Sequence, residues 1–255
     1  MTDTPAAAPQ EPEAPQVLQP SFRSDVTVEL VKHSAADSDV LWAARVSTAG
    51  EQSLDELRKD PERSKGLINY LMRDRHGSPF EHNSMTFFIS APIFVFREFM
   101  RHRVGWSYNE ESGRYRELQP VFYVPDASRK LVQEGRPGKY VFAPGTEEQH
   151  KLVSRSMEDA YVQAYEAYQE MLAAGVAREV ARSVLPVGLY SSMYATCNAR
   201  SLMHFLGLRT QHELAKVPSF PQREIEMVGE RMEAEWAGLM PLTYAAFNKN
   251  GRIAP

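Results

Sequence analysis

Apolar residues recur along this chain at two spacings, one typical of helices and one typical of strands. Alternating or β-branched runs predict strands over Val26–Val31, Ser84–Ala91 and Leu189–Asn198. Helical spacing predicts helices over Ser38–Ser47, Pro61–Arg75, Ile93–Arg103, Glu147–Gly175, Ala177–Leu185, Ala199–Arg209 and Pro221–Met240. Helices outnumber strands, and the strands are spread along the chain. The pattern therefore predicts one mixed α/β (α+β) domain, mostly helical, with a small central sheet.

Residues 1–22 carry a different pattern. The first twenty residues hold five prolines and almost no large apolar side chain. Such a segment cannot bury enough surface to offset its ordering entropy. Residues 1–22 are therefore predicted to be a disordered tail, and residues 23–255 the folded domain. Within that domain, residues 114–125 look extended, and residues 126–145 are predicted to form an irregular surface loop.

The composition narrows the class of protein. The chain has 255 residues, 43% hydrophobic content, a formal net charge of −4 and one cysteine, Cys197. A single cysteine excludes a disulfide framework or a cysteine-based metal site within one chain. This low cysteine content suits a protein of the reducing cytoplasm. The first basic residue is Arg23, and the longest apolar run is about half the length of a bilayer span. We therefore expect a cytoplasmic protein with no membrane contact and, since no His, Asp and Glu stand at metal spacing, no metal.

Arginines are concentrated between Arg97 and Pro120, where five of them lie among aromatic and acidic residues. If Ile93–Arg103 is helical, the consecutive residues Arg101, His102 and Arg103 point about 100° apart and can contact two different ligands. A single arginine at a helix end is explained by the helix dipole and a nearby acid. The whole set is better explained by anion binding, because planar guanidinium groups suit phosphate and carboxylate oxygens.

Further arginines lie in apolar surroundings at Arg182, Arg200 and Arg209. Burying an unpaired charge is costly, so each is expected to meet an acid or an anionic ligand. Arg200 and His204 are four residues apart and share a helical face, whereas Arg209 lies on the opposite face or past the helix end. This divergence again predicts two ligands.

The stretch RHRVGWSYNEESGRY, Arg101–Tyr115, closely resembles the signature of the flavin-dependent thymidylate synthases, an Arg-His-Arg followed by Ser and then Arg-Tyr. The resemblance covers about residues 26 to 240. Four further blocks are similar to that family and follow its order: Arg75–His82, Ala91–Arg103, Arg178–Pro186 and Asn198–Arg209.

The resemblance implies an enzyme, a thymidylate-forming methyltransferase with a mixed α/β fold. Its reaction converts dUMP to dTMP, with 5,10-methylenetetrahydrofolate as carbon donor and NADPH as reductant of bound FAD. It further implies a homotetramer whose active sites are shared between subunits, with small-molecule substrates and no nucleic-acid partner. Arg209 resembles the catalytic residue that favours the N3-deprotonated uracil, so that no cysteine needs to attack the ring.

The remaining implied contacts fall into two sets. The dUMP set is Glu98, Arg101, Glu110 or Glu111, Ser112, Gly113, Arg114, Arg182 and Arg209. The FAD set is His76, Ser78, Arg101, His102, Arg103, Glu110, Asn198, Arg200 and His204. The choice between Glu110 and Glu111 stays open because eight residues, not the signature's seven, separate Arg103 from Ser112, with the extra one near Gly105 and Trp106.

Two other features depart from the family. His204 stands where some members have Asn, and residues 210–224 look like an insertion over the site. The alternative from another class is a non-catalytic nucleotide-binding or RNA-binding module that uses the arginine and aromatic cluster. The net acidity and the arginines embedded in apolar helices argue against it. A third alternative is a helical scaffold protein in which the cluster is only a charged seam between subunits.

Overall fold

The computed structural model of this chain describes residues 18–49, 61–136 and 139–255. Most of the tail predicted over residues 1–22 lies outside these ranges. Its last residues do not, because Ser21–Arg23 form strand β1, which pairs in parallel with strand β5, Val121–Tyr123. The folded part therefore begins with a short strand held against the middle of the chain.

A four-stranded antiparallel sheet forms the centre of the molecule. Its strands lie in the order β2 (Thr27–Ser34), β3 (Ser84–Pro92), β8 (Tyr190–Cys197) and β4 (Trp106–Glu110). Alternate residues of β3 are completely buried, as period-two patterning requires when one face of a sheet is covered. The predicted mixed α+β class with a small central sheet is confirmed.

Eight helices surround this sheet in the described ranges. They are α1 (Asp37–Ala49), α2 (Pro61–Arg73), α3 (Ile93–Phe99), α4 (Glu147–Ala173), α5 (Arg178–Ala181), α6 (Ala199–Arg209), α7 (Arg223–Leu239) and α8 (Pro241–Lys249). Two 3₁₀ turns cover Ser78–Glu81 and Arg182–Val184. None of these helices has the combination of length and apolarity needed to cross a membrane.

The main core lies between the sheet and helices α6 and α7. Phe87, Ile89, Leu202, Phe205 and Trp236 are all completely buried there. Helix α6 is therefore packed along most of its length, and only its two ends and one side reach the surface. Charged residues at those ends are held in fixed places by a rigid element.

A smaller core lies beneath helix α4. Tyr161, Tyr165 and Tyr168 form a stripe along that helix and pack against Phe122 and Leu189. Their exposures of 7%, 2% and 0% confirm that this stripe is a packing surface. The helix begins with a capping box, in which the side chains of Thr146 and Gln149 each accept a hydrogen bond from the other residue's backbone N–H.

Three predictions of local structure were wrong. Helix α3 ends at Phe99, not at Arg103, so the Arg-His-Arg sequence lies on the turn that follows. Residues 106–110 form strand β4, where no strand was predicted. Residues 132–136 and 139–143 form the antiparallel strands β6 and β7, not an irregular loop. For β4 the pairing partner is distant in sequence and invisible to local patterning, whereas β6 and β7 are neighbours in sequence that pair with each other.

The turn after α3 has an identifiable cause. The carbonyl oxygen of Phe99 accepts hydrogen bonds from the backbone N–H of His102 at 2.8 Å and from the hydroxyl of Tyr108 at 3.0 Å. The same hydroxyl lies 2.8 Å from the carbonyl oxygen of His102, so its single proton is shared between the two carbonyl groups. Strand β4 thereby returns to the end of α3 and takes up the carbonyl groups that a longer helix would use.

Candidate functional site

Arg209, the last residue of α6, lies between a carboxylate and an imidazole. Its Nη1 is 2.7 Å from Oε2 of Glu98, and its Nε donates to Nε2 of His102 at 3.1 Å. Glu98 comes from α3 and His102 from the turn that follows it. The expectation that Arg209 meets an acid is confirmed, and the acid is supplied 111 positions away in sequence.

An aromatic cluster fixes the imidazole of His102. The ring lies 5.0 Å from the ring of Phe205 and 6.4 Å from the ring of Trp106, measured between centroids. Trp106 stacks on Tyr108 at 5.7 Å, and Phe99 stacks on Phe205 at 4.7 Å. These contacts join α3, β4 and α6, so the side chain that touches Arg209 is part of the packed core.

The environment keeps His102 neutral. Burial lowers its pKa to about 4, and the positive charge of Arg209 acts in the same direction. A neutral imidazole can accept the hydrogen bond that Arg209 Nε donates, whereas an imidazolium cannot. His102 therefore orients the guanidinium without neutralising its charge.

Glu98 has an unusual environment for a carboxylate. Burial raises its pKa, and the negative charge of Glu224 adds to this effect, while Arg209 opposes it. Among the described residues its Oε1 is buried and has no hydrogen-bond partner. A buried acceptor of this kind is costly unless a ligand supplies a donor, so Glu98 marks the place where such a donor fits.

A tight turn lies between the Arg-His-Arg sequence and strand β4. Gly105 has a φ of +70°, in the left-handed region that favours glycine, and a Cβ there would overlap Oγ of Ser201. That hydroxyl donates to the carbonyl oxygen of Val104 at 2.9 Å. Asn198 caps α6 by accepting from Ser201 N at 2.9 Å, so this FAD-set residue also shapes the helix start.

A second group of predicted residues lies at the far end of strand β4. Glu110 accepts a hydrogen bond from Ser191, and burial raises its pKa while Arg182 opposes the shift. Gly113 is buried, and a Cβ there would lie 3.3 Å from Cδ of Arg182. Glu110, Gly113 and Arg182 therefore form one neighbourhood. Arg182 itself is exposed on a 3₁₀ turn, so the prediction that it faces the core was wrong.

The residues that flank Gly113 point to the surface. Arg114 pairs with Glu179 at 3.2 Å, and its backbone N–H donates to Oγ of Ser112 at 3.4 Å. Glu111 pairs with Arg116 at 3.2 Å. Of the two candidate acids, the structure thus brings Glu110 close to Arg182 and pairs Glu111 with another arginine.

A third group surrounds Arg200 at the start of α6. Its Nη1 lies 2.6 Å from Oε1 of Glu81, and its Nε donates to the carbonyl oxygen of Pro255 at 2.6 Å. A Cβ on Gly77 would lie 2.5 Å from its Nε, so the guanidinium covers that glycine. The predicted acid partner of Arg200 is again present.

Other predicted flavin residues lie on the surface. His204 lies at the surface. Partial burial of its ring lowers its pKa, and the positive charges of Arg200 and Arg75 act in the same direction. Ser78 is exposed and begins the 3₁₀ turn after Gly77. His76 is exposed and stacks on Tyr70 at 5.6 Å. The side chains of Arg101 and Arg103 are exposed on the turn after α3.

The second and third groups are separated within one chain. Trp106, beside the Asn198 end of the sheet, pairs with Cys197, whereas Glu110 at the other end of β4 pairs with Met193. Four strand residues span about 14 Å. The structure therefore brings the predicted residues together as three clusters and not as one pocket.

One feature of this surface was missed by the sequence analysis. A cavity of about 870 Å³ lies between strands β6 and β7 and the start of α7, and none of the predicted site residues lines it. Glu224, only 2% exposed, lies in its wall and accepts from the Tyr123 hydroxyl at 2.5 Å and from Arg129 Nε at 2.7 Å. Gln211, two positions past Arg209, also lines this cavity. The pairs of Glu224 join residues about a hundred positions apart, which leaves no local signal.

Cys197 is enclosed in the sheet. It is 2% exposed, and burial raises the pKa of its thiol. Because the thiolate is the nucleophilic form of cysteine, this side chain is chemically inert. Within the described ranges, no group of three or more His, Cys, Asp or Glu side chains could hold a metal ion.

A family model described as thymidylate synthase complementing protein matches residues 29–242. The chain is 87% identical over 255 residues to a protein of Streptomyces avermitilis named flavin-dependent thymidylate synthase, and both chains are covered completely. A protein of Tropheryma whipplei with the same name is 59% identical over 240 residues, which cover 94% of this chain and 99% of that one.

Solved structures show the same likeness. The crystal structure of a UMP/dUMP methylase, PolB, from Streptomyces cacaoi, bound with 5-Br dUMP, superposes with a TM-score of 0.86 at 59% identity. The match covers 92% of this chain and 99% of that one. The same protein bound with 5-Br UMP gives a TM-score of 0.84 at 57% identity, over 93% and 100% of the two chains.

Proposed function

The chain belongs to the flavin-dependent thymidylate synthase family, and we propose that it converts dUMP to dTMP. We further propose that 5,10-methylenetetrahydrofolate supplies the carbon, that NADPH supplies the reducing equivalents and that FAD is the bound cofactor. The observation that carries this proposal is the Arg209 guanidinium held between Glu98 and a neutral His102. This arrangement suits a ligand that becomes negatively charged as it reacts.

The chemistry requires a more nucleophilic uracil. Carbon 5 of uracil is a weak nucleophile until the ring gains electron density. The fixed charge of Arg209 stabilises negative charge on the ring, and the buried Oε1 of Glu98 is an acceptor for the proton on N3. Both interactions move electron density in the same direction, so the ring is activated without a covalent bond to the protein. The inert environment of Cys197 supports this route.

The phosphate end of the nucleotide needs cations and small residues. We assign it to Ser112, Gly113, Arg114 and Arg182, because the exposed guanidinium of Arg182 lies beside a glycine that lets a ligand approach the backbone. Glu110, with its raised pKa, and Arg101 complete the nucleotide set with Glu98 and Arg209. Glu111, which pairs with Arg116, stays the alternative to Glu110.

The flavin is assigned to residues around the start of α6 and the turn after α3, together with Glu110 at the far end of β4. They are His76, Ser78, Arg101, His102, Arg103, Glu110, Asn198, Arg200 and His204. Most of these side chains are exposed, and the group is rich in hydrogen-bond donors and positive charge, which fits a dinucleotide pyrophosphate. When bound, FAD would supply hydride chemistry that no protein side chain can supply. The protein's part is to bind and orient it.

We propose that the active site is completed by neighbouring subunits of a homotetramer. The support is the separation of about 14 Å between the Glu110 and Asn198 ends of strand β4. The exposed β4 edge and the exposed arginines on either side of it place these groups on a surface that a second copy can cover. Each copy would then contribute different residues to each site.

The proposed function is tested with purified protein. It should show visible flavin absorbance that bleaches on addition of NADPH, and it should form dTMP from dUMP and 5,10-methylenetetrahydrofolate, measured by chromatography. UMP should be tested in parallel, since the Streptomyces cacaoi relative is described as acting on both nucleotides. A colourless protein that binds oligonucleotides with strong salt dependence would instead support the non-catalytic binding module.

A further inference from the structure

The last five residues of the sequence, Gly251–Pro255, cross the surface of helix α6. We call this segment the brace. Arg252 donates from Nη2 to Oγ1 of Thr210 at 3.1 Å, just past the end of α6. At the other end of that helix, Arg200 Nε donates to the carbonyl oxygen of Pro255 at 2.6 Å. The brace therefore runs antiparallel to α6 and contacts both of its ends.

The middle of the brace also contacts the helix. A Cβ on Gly207 would lie only 3.1 Å from the carbonyl oxygen of Arg252, so the glycine allows the brace to approach. Gly251 and Arg252 have φ of 76° and 55°, so the chain turns before it follows the helix. From Gly207 to Arg200 the helix is about 10 Å long, and the three residues after Arg252 can span about that distance. The side chain of Arg252 reaches the Thr210 end.

The brace is firmly anchored at its first residues. Arg252 is 3% exposed, and its guanidinium forms a two-pronged pair with Glu233 of α7, at 2.6 and 2.7 Å. Its backbone N–H donates to Phe247 O at 2.9 Å and closes the end of α8. The carbonyl oxygen of Gly251 accepts from Lys216 N at 3.0 Å. This anchor fixes the direction in which the remaining residues leave.

The far end of the brace holds two arginines. Ala254 is 7% exposed, and its carbonyl oxygen accepts from Arg75 Nη1 at 2.6 Å. Pro255 is also buried and accepts from Arg200. Arg200 is thus confined on three sides, by Pro255, by Glu81 and by the backbone at Gly77.

We propose that the brace is a positioning element that sets Arg200 for the flavin. This inference rests on the proposed function, which assigns Arg200 to FAD. With Nε and Nη1 occupied by Pro255 and Glu81, only one edge of the guanidinium is presented to a ligand, so its orientation is fixed before the ligand arrives. Without Pro255, the long side chain regains rotamer freedom that binding must then remove.

The test is a double-mutant cycle on flavin affinity. Deletion of residues 254–255 should raise the dissociation constant of FAD about tenfold or more, because it removes a hydrogen bond to a charged group. Arg200→Ala should weaken FAD binding similarly, and the deletion combined with Arg200→Ala should add less than about twofold to Arg200→Ala alone. Unchanged FAD affinity after the deletion, or losses that multiply in the combined variant, would overturn the proposal.

A second pair of variants keeps the test valid if the shortened chain does not fold. Gly207→Ala should push the brace outward by a few tenths of an ångström and weaken FAD binding, whereas Gly66→Ala in α2, where nothing lies within 4 Å, should leave it unchanged. Equal FAD affinity in these two variants would contradict the brace. A wild-type protein that binds no FAD would contradict the proposed function instead, so the two failures are distinguishable.

Discussion

Nε of Arg209 donates a hydrogen bond of 3.1 Å to Nε2 of His102, and the imidazole accepts it because burial holds the pKa of His102 near 4. Arg209 is thus the donor and His102 the acceptor of this hydrogen bond. The guanidinium keeps its full charge and gains a defined orientation, which is what stabilisation of a developing anion requires.

Replacement of Arg209 should separate catalysis from cofactor binding. Arg209→Ala should lower the rate of dTMP formation by about a hundredfold or more, the size of effect seen when one preorganised electrostatic group is removed. Flavin content and folding should stay close to wild type, since His102 is the one assigned flavin residue to which Arg209 is hydrogen-bonded in the described part of the chain. Turnover assays and absorbance spectra measure the two properties. Lys151→Ala, which removes an exposed pair with Glu147, is the control. Near-normal turnover of Arg209→Ala would refute this role.

His102 should make the protein less stable in mild acid. The unfolded chain binds a proton on this histidine below about pH 6.5, whereas the folded chain binds it only below about pH 4. Within this window the unfolded state holds more protons, so the free energy of unfolding falls as pH decreases. Urea unfolding at several pH values should show a shallower dependence for His102→Gln than for wild type. His33→Gln, at an exposed position, should leave the slope unchanged. Identical slopes in all three proteins would exclude this contribution.

The turn at Gly105 should not tolerate a side chain. Gly105→Ala places a Cβ against Ser201 Oγ in a backbone conformation with φ of +70°, so we expect a loss of about 1–3 kcal/mol in the free energy of unfolding. Because this turn sets the position of the Arg-His-Arg sequence, flavin retention should fall as well. Gly238→Ala in α7, with open space around it, serves as the matched substitution. A Gly105→Ala protein with wild-type stability would show that the turn adapts.

The buried pair between Arg252 and Glu233 should be necessary for folding stability. Arg252→Ala leaves the carboxylate of Glu233 buried without its partner, which typically costs about 3–5 kcal/mol. Lys151→Ala removes an exposed pair with Glu147 and should change the free energy of unfolding by about 0.5 kcal/mol or less. Chemical denaturation of both variants makes the comparison, and similar midpoints would be inconsistent with it.

Dissociation of the assembly should release the cofactor. If subunits share each site, dilution of the protein to monomers should free FAD, because one chain carries the flavin residues in separated groups. Sedimentation combined with flavin fluorescence would follow assembly and release together. Monomers that retain flavin would contradict a shared site.

Sequence patterning predicted the elements whose burial is periodic and missed those decided by distant partners. Strand β3 and helices α6 and α7 were found because their buried positions repeat. Strand β4 was missed because its conformation depends on pairing with β8, more than eighty positions later. Helix α8 was also missed, although Pro241 at its first turn is a signal that could have located it.

The same division applies to the site. The need of Arg200 and Arg209 for acidic partners followed from burial alone, but the identities of Glu81 and Glu98 did not, since the fold brings them from other elements. The cavity beside Glu224 depends on three segments that are distant in sequence. The residue types therefore predicted that these arginines need acidic partners, whereas the identity of each acid depends on the fold.

The enclosure of Cys197 within strand β8 gives the molecule a built-in reporter. It is the only thiol in the sequence, and it becomes accessible only when the sheet opens. Modification by a thiol-selective reagent would therefore report the opening of the central sheet.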